Sequence, residues 1–210
     1  MYRPLISILL LLSISSCIST KIKIAEKSYQ EVSNIVYIDP ILDIKNKIYL
    51  QSHFVSTLTS SSNDQIDSLF TIPDNKFKIN RKLLIQNKPG FDSIFLPKLN
   101  IIIEKLNSKN GTINIEDTQG IFNALRGDFQ YLLVPVIKES FITMQQKYPD
   151  NIIISPPGTL HYYTNHKDLH LFILDLKNKE IVLYGHASGD LQLRNTIKDL
   201  DNIFKKWQKK

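Results

Sequence analysis

The chain has 210 residues, enough for one domain, and 42% of them are hydrophobic while 22% are charged. These proportions are typical of globular proteins and exclude a disordered chain. The single cysteine excludes an intramolecular disulfide, and a domain of this size can bury a stable core without one. The net charge of +6 is small and dispersed, so we expect no nucleic-acid partner.

The first sixteen residues have the organisation of a secretory signal. Arg3 supplies a positive charge, a mostly apolar stretch runs from Leu5 to Leu12, and small residues follow up to Cys17. This is the order of n-region, h-region and cleavage site. The apolar stretch is shorter than the roughly 20 residues that span a bilayer, so we predict a signal peptide over residues 1–16 rather than a permanent membrane helix.

The stretch Ile14-Ser15-Ser16-Cys17 resembles the lipobox of bacterial lipoproteins. The resemblance implies that a diacylglyceryl group is attached to the Cys17 sulfur, that cleavage occurs before this residue, and that fatty acid such as palmitate acylates the new N-terminus. Stable anchoring takes two acyl chains, so these chains would hold the protein at a membrane. The alternative is an ordinary secretory signal in which the cysteine has no role.

The residue after the cysteine predicts the membrane to which the protein is sorted. In enterobacteria-like sorting an acidic residue at position 18 favours retention in the inner membrane. The residue here is Ile18, which implies the outer membrane of a Gram-negative cell envelope. Residues 17–33 lack strong periodicity and are interpreted as the lipidated cysteine and a polar tether, followed by a globular domain over 34–210.

Strand patterns begin directly after this segment. Residues 34–40 form a short β-branched and aromatic run that ends at Pro40, and residues 44–51 alternate in part. Residues 81–86 follow an alternating pattern into an apolar end. We predict a strand in each of these three segments.

Two helices are predicted between residues 92 and 128. The first can be capped by Asp92 or Ser93, and Pro97 lies in its first turn, where a missing N–H costs no hydrogen bond. The second covers residues 115–128. Apolar side chains at helical spacing define the inward faces: Leu96, Leu99, Ile103 and Leu106 in the first helix, and Ile121, Phe122 and Leu125 in the second.

The C-terminal half predicts a central strand, a meander and a final helix. Residues 129–137 form a continuous apolar run typical of a strand covered on both faces, with Pro135 expected at its end or at a bulge. Residues 158–187 predict a three-stranded antiparallel meander with turns at 165–168 and 177–179. Apolar residues at helical spacing over 193–207 predict an amphipathic C-terminal helix.

These elements predict one α/β domain with a mixed sheet, a C-terminal meander and packed helices. The run GDFQYLLVPVI, followed by HLFILDLKNKEIVLYGHASG and the last helix, resembles the second half of small α/β domains in bacterial envelope lipoproteins. The resemblance implies a fold like that of curli-channel-type or periplasmic translocation-protein N-terminal domains. Those families mostly assemble with partners rather than catalyse, and the likeness of fold alone is an analogy for function.

Histidines are concentrated in the predicted meander. If residues 165–168 form a turn, His161 and His170 lie diagonally on one face of a hairpin, with Asp168 and His186 close by. Imidazole and carboxylate groups are ligands for Zn²⁺ and other divalent ions. The spacing matches no established metal motif, and surface histidines explain it equally.

No sequence pattern assigns a catalytic residue or a cofactor. The chain contains no G-x-S-x-G elbow, no P-loop and no G-x-G-x-x-G. Tyr162 and Tyr163 follow a proline-containing loop at 154–159 and are candidates for a recognition surface, although a rigid connector accounts for that loop as well.

The leading hypothesis is a lipid-anchored envelope protein that acts by binding or assembly with another envelope component. The alternatives are a periplasmic or surface metal-dependent hydrolase that uses the histidine group, and a small-ligand or glycan binder that uses the tyrosines. Convergence of the histidines in a pocket at ligand distance would contradict the leading hypothesis and favour the hydrolase.

The anchor can be tested with Cys17→Ser. The hydroxyl cannot form the thioether, so we expect the variant to lose labelling by a fatty-acid probe and to leave the membrane fraction. Persistence of both properties would contradict a lipid anchor.

Overall fold

A computed structural model describes residues 19–45, 77–83, 94–108, 113, 115–125, 128–143, 162–189 and 196–210, together with Asp64, Asp67 and Phe70. The described helices are α1 (Leu96–Asn107), α2 (Ile115–Ala124) and α3 (Thr196–Trp207), and a short 3-10 helix spans Tyr29–Glu31. None of the helices in the described ranges has the length and apolar character needed to cross a membrane.

One mixed sheet organises the described residues. Its strands are β1 (Ser19–Ala25), β2 (Ile35–Ile38), β3 (Ile41–Lys45), β4 (Ile79–Leu83), β5 (Tyr131–Thr143), β6 (Tyr162–Asp175) and β7 (Glu180–Gly189). Their order is β1-β7-β6-β5-β2-β4, and β3 pairs with the far half of β5 beside β2. The pairs β1–β7, β7–β6 and β6–β5 are antiparallel. In contrast, β2 and β3 run parallel to β5, and β4 runs parallel to β2.

Helices cover both faces of this sheet. Successive side chains of a strand point to opposite faces, so Leu133 of β5 belongs to the core beneath α3 while Val134 belongs to the core beneath α1 and α2. The part of β5 from Tyr131 to Ile137 is therefore apolar at every position, as the sequence pattern predicted. The expected mixed α/β domain with a C-terminal helix is confirmed.

The expected position of Pro135 is wrong. This residue is buried in the middle of β5, opposite Leu171, and the bulge in that pairing falls between Ser140 and Phe141. On its other side, β5 pairs with β2 as far as Leu133 and with β3 from Val136 onward. Pro135 thus lies between two parallel partners, where its missing N–H removes no hydrogen bond on that side.

The expected turn at residues 165–168 is also wrong. These residues lie inside β6, which runs without interruption from Tyr162 to Asp175. Its first half pairs with β5, which is nearly as long and pairs with β6 as far as Thr143. The antiparallel unit is therefore β5-β6-β7, and the second expected turn, between β6 and β7, is confirmed at residues 176–179.

The segment interpreted as a polar tether contains ordered structure. Ser19–Ala25 forms β1, which pairs with the outer edge of β7, and Tyr29–Glu31 forms the 3-10 helix. Trp207 at the end of α3 stacks edge-on against Tyr29 with ring centroids 5.2 Å apart. Its Nε1 donates a hydrogen bond to the carbonyl oxygen of Lys27 at 2.9 Å. These contacts join residues 19–31 to the domain.

A glycine allows α3 to approach the sheet closely. A Cβ atom built at Gly185 of β7 would lie 2.3 Å from Cγ2 of Ile203, a residue of α3 that is fully buried. No side chain can occupy that space unless the helix moves. The packing of α3 on β7 therefore requires glycine at this position.

Gly185→Ala is expected to lower the free energy of unfolding by about 1–3 kcal/mol through overpacking. Gly120→Ala is the matched control, because a Cβ there would meet only the flexible side chain of Lys98 at 3.2 Å. In a helix the control change is expected to be neutral or to stabilise by up to about 1 kcal/mol. Urea denaturation of the detergent-solubilised protein measures both, and equal effects would contradict the close approach.

A buried carboxylate ties the β6–β7 turn to residues that flank β1 and β5. Asp175 is 0% exposed and its Oδ1 accepts hydrogen bonds from the backbone N–H groups of Lys177 and Asn178, both at 3.0 Å. Its Oδ2 accepts from Lys27 Nζ at 2.6 Å and from Gln130 Nε2 at 3.0 Å. Burial opposes ionisation of Asp175, but these hydrogen bonds outweigh it and lower its pKa from 3.8 to about 2.

Asp175→Asn removes the ion pair with Lys27 while keeping an oxygen for the turn. The lowered pKa of Asp175 corresponds to about 2 kcal/mol of stability at neutral pH, since one pKa unit is worth about 1.4 kcal/mol. A depressed carboxyl pKa stabilises the fold above its unfolded value, and this contribution is lost as the pH falls from about 4 through about 2. We expect urea denaturation to show a difference in the free energy of unfolding of about 2 kcal/mol between wild type and Asp175→Asn at neutral pH. This difference should disappear as the pH falls from about 4 through about 2.

Asp43→Asn is the control for this prediction. The Asp43 carboxylate is 42% exposed and lies 3.6 Å from Lys138, so its removal is expected to cost at most about 1 kcal/mol. A stability difference for Asp175→Asn that is independent of pH would contradict the assigned role of the charge.

Candidate metal centre

The β6–β7 ladder brings Asp168, His170 and His186 together. His170 and His186 are direct cross-strand partners, and Asp168 lies two residues before His170. Residues two apart on a strand point to the same face, so the three side chains project from one face of the sheet. This is the face that α1 and α2 cover.

The three side chains are within reach of a common ion. The imidazole rings of His170 and His186 stack with centroids 4.6 Å apart and an interplanar angle of 3°. His186 Nε2 lies 3.3 Å from Asp168 Oδ1. One potential ligand atom from each residue lies within 4.8 Å of the other two. We call these three residues the His–Asp cluster.

The cluster spans the boundary between core and solvent. His170 is 1% exposed, whereas the side chains of His186 and Asp168 are 15% and 20% exposed. An ion can therefore approach from the side of His186 and Asp168, and the buried His170 forms the inner wall of the site.

A chain of hydrogen bonds determines which nitrogen of His170 carries the proton. Lys23 Nζ lies 2.9 Å from Asn107 Oδ1, and because an ammonium group only donates, that amide atom is an acceptor. The Tyr184 hydroxyl donates to the same oxygen at 3.3 Å. It must then accept from His170 Nδ1, 2.9 Å away. This assigns the proton to Nδ1 and a lone pair to Nε2.

Electrostatics keep these groups neutral. Burial, reinforced by the positive fields of His186, Lys138 and Lys23, lowers the pKa of His170 to about 3. Burial likewise raises the pKa of the Tyr184 hydroxyl. At physiological pH the buried ring is thus a neutral imidazole, and the hydroxyl beside it keeps its proton.

Charged residues of neighbouring strands surround the cluster. Lys21 of β1 is exposed and pairs with His186, and Lys138 of β5 pairs with Asp168. The charge of Lys138 is offset by Asp43 of β3 at 3.6 Å. Lys23 Nζ also donates to the carbonyl oxygen of Leu106, near the end of α1. These contacts hold β1 and α1 against the side of the cluster.

The structure places the residues singled out in the sequence differently. His170, His186 and Asp168 come together, but through the β6–β7 pairing and not through a hairpin at 165–168. Cys17 and His161 lie outside the described residues. Tyr162 and Tyr163 begin β6, opposite Thr143 and Ile142, and their side chains lie outside the described part.

Sequence reasoning missed the residues that orient His170. Tyr184 precedes His186 by two positions on a predicted strand, and this spacing was a signal that the two share a face. Asn107 and Lys23 lie 77 and 161 positions before Tyr184 in the chain, and no local pattern connects them to it. Only the packing of α1 and β1 around β7 makes them neighbours.

Comparisons with known proteins give likeness of structure only. No family model and no curated protein matches the sequence. The LpoB C-terminal domain from Salmonella enterica is similar with a TM-score of 0.29 and 12% identity, over 76% of this chain and 86% of that one. The PelC dodecamer from Paraburkholderia phytofirmans is similar with a TM-score of 0.36 and 6% identity, over 91% and 94%. Likenesses this low support no argument about function.

Proposed function

We propose that this protein is a lipid-anchored component of the bacterial cell envelope that acts by binding a second envelope component. The observation that carries the proposal is that β1 begins at Ser19, two residues after the cysteine of the lipobox-like stretch. Two residues reach at most about 7 Å. An acylated Cys17 would therefore hold the edge of the sheet directly at a membrane surface.

This short connection gives the domain an orientation. The first residues of β1 pair with Ser188 and Ala187, and Ser188 pairs in turn with Asp168, so this end of β6 and β7 would face the membrane. From Asp168 to Asp175, β6 advances about 23 Å at its usual rise per residue. The β6–β7 turn at 176–179 would accordingly face away from the lipid.

The end opposite the anchor carries a concave surface suited to a partner. One open depression of about 380 Å³ is lined by residues that include Phe122, Leu125 and Lys177. A second, of about 450 Å³, shares Phe129 with the first and includes Asp128 and Gln130. The first depression combines apolar side chains with the lysine Lys177, a mixture that is typical of protein contact surfaces. An envelope protein above the membrane is the occupant that this placement favours.

A second candidate function, metal-dependent hydrolysis, is favoured by the convergence of His170 and His186 with Asp168. Three protein ligands with an open fourth position are typical of catalytic zinc. However, neither depression described above is lined by the His–Asp cluster, and His170 is covered by protein. Turnover of chromogenic ester substrates by the Zn²⁺-supplied protein, lost in His186→Ala, would favour this candidate over binding.

The binding proposal is tested with a photo-crosslinking amino acid in the full-length protein in its native membrane. At Lys21, which is exposed near the start of β1, we expect crosslinks to phospholipid. At Lys177, which is exposed in the β6–β7 turn, we expect crosslinks to an envelope protein and none to lipid. Mass spectrometry identifies both products.

The same positions in a Cys17→Ser background are the control. Release from the membrane should abolish the lipid crosslink at Lys21 and reduce the protein crosslink at Lys177. Recovery of this protein alone from Lys177, or lipid crosslinks at both positions, would contradict the proposed orientation and partner.

A further inference from the structure

A purely structural role explains only two of the three residues in the His–Asp cluster. A hydrogen bond between His186 Nε2 and Asp168 Oδ1 at 3.3 Å accounts for those two residues. It does not account for His170, which is buried and whose Nδ1 lies 2.9 Å from the Tyr184 hydroxyl. With Nδ1 engaged in this way, Nε2 is the nitrogen of His170 that can face a metal ion.

We propose that Asp168, His170 and His186 bind one divalent transition-metal ion of the Zn²⁺ class. Two imidazole nitrogens and one carboxylate oxygen are ligands of this class, whereas Mg²⁺ and Ca²⁺ prefer oxygen alone. The site would lie at the membrane-proximal end of the sheet, two residues along β7 from the strand position that pairs with Ser19.

The distances are close to those that a bound ion requires. Ligand atoms on one tetrahedral Zn²⁺ lie about 3.3 Å apart, given bonds of about 2.0–2.1 Å. Asp168 Oδ1 and His186 Nε2 are already separated by 3.3 Å. One potential ligand atom from each residue lies within 4.8 Å of the other two. Because the rings of His170 and His186 are nearly parallel, the partly exposed His186 ring must also turn so that a nitrogen lone pair of each ring meets the same ion.

The hydrogen bonds behind His170 have the form of an outer coordination shell. Metal-binding histidines almost always donate their second N–H to an oxygen, which fixes the tautomer and the ring orientation. Here the acceptor is the Tyr184 hydroxyl, held by Asn107 and in turn by Lys23. Tyr184 is therefore a positioning residue for the metal, and β1 and α1 both contribute to its support.

The proposal is tested by Zn²⁺ titration of the purified, detergent-solubilised lipidated protein, in competition with a chromogenic chelator. We expect one equivalent to bind. His186→Ala and Asp168→Asn each remove a ligand and are expected to weaken binding by about 100-fold or more. Tyr184→Phe keeps the ring but removes the acceptor, with an expected loss of about 10–100-fold.

Matched controls separate this result from a loss of folding. Tyr37→Phe removes another hydrogen-bonded hydroxyl, the donor to Asp67 at 3.0 Å, and His161→Ala removes a histidine outside the cluster. Both are expected to bind Zn²⁺ as the parent does. Far-UV circular dichroism checks each variant, and if His186→Ala does not fold, Tyr184→Phe and Asp168→Asn still test the site.

Two outcomes would overturn the site. One is binding of less than one equivalent by the parent protein. The other is unchanged affinity in the folded Asp168→Asn and Tyr184→Phe variants, or a loss in His161→Ala as large as theirs. Because the titration uses purified protein without membrane or partner, its result is independent of the proposed binding function.

Discussion

The pairing of β1 with the outer edge of β7 is the interaction on which the functional interpretation depends. It converts residues that read as a tether into an edge strand, and it places the first residues after Cys17 beside Ser188 and His186. The pairing is secured at its far end by Lys27, whose ammonium group lies 2.6 Å from Asp175 and 2.8 Å from Glu180. A free tether would leave the orientation of an anchored domain undefined, whereas a paired strand would define it under the proposed anchor.

The same strands connect the two ends of the molecule. The β6–β7 hairpin carries Asp175 and the turn at one end and the His–Asp cluster at the other. Between them, Gly185 lets α3 lie against one face while Tyr184 supports His170 on the opposite face. Since the residues of β7 alternate between these faces, a disturbance of α3 packing at Gly185 would also shift the neighbours that orient His170. Stability and the candidate site are therefore coupled through one strand.

A metal at the His–Asp cluster is compatible with a protein that acts by binding. Three ligands from two adjacent strands would crosslink β6 and β7 near the end that the proposed anchor would hold. Bound metal adds stability to the folded state that binds it. The concave surface at the opposite end, around Phe129, remains available for a partner. The proposed anchor, metal site and partner surface would thus occupy separate positions along the same sheet.

The sequence by itself determined the elements that depend on local pattern: the mixed α/β class, the central strand over 129–137, the β6–β7 turn, and the apolar faces of the helices. It also predicts lipidation at Cys17, since the lipobox-like stretch is contiguous. Tertiary structure alone decided that residues 19–25 pair with β7, because an edge strand needs only backbone hydrogen bonds and leaves little periodicity. Tertiary structure also decided that β6 continues through 165–168, because pairing with a long β5 overrides the local turn preference. It decided, too, that Asn107 and Lys23 fix the proton of His170, because these residues are distant from it in the chain.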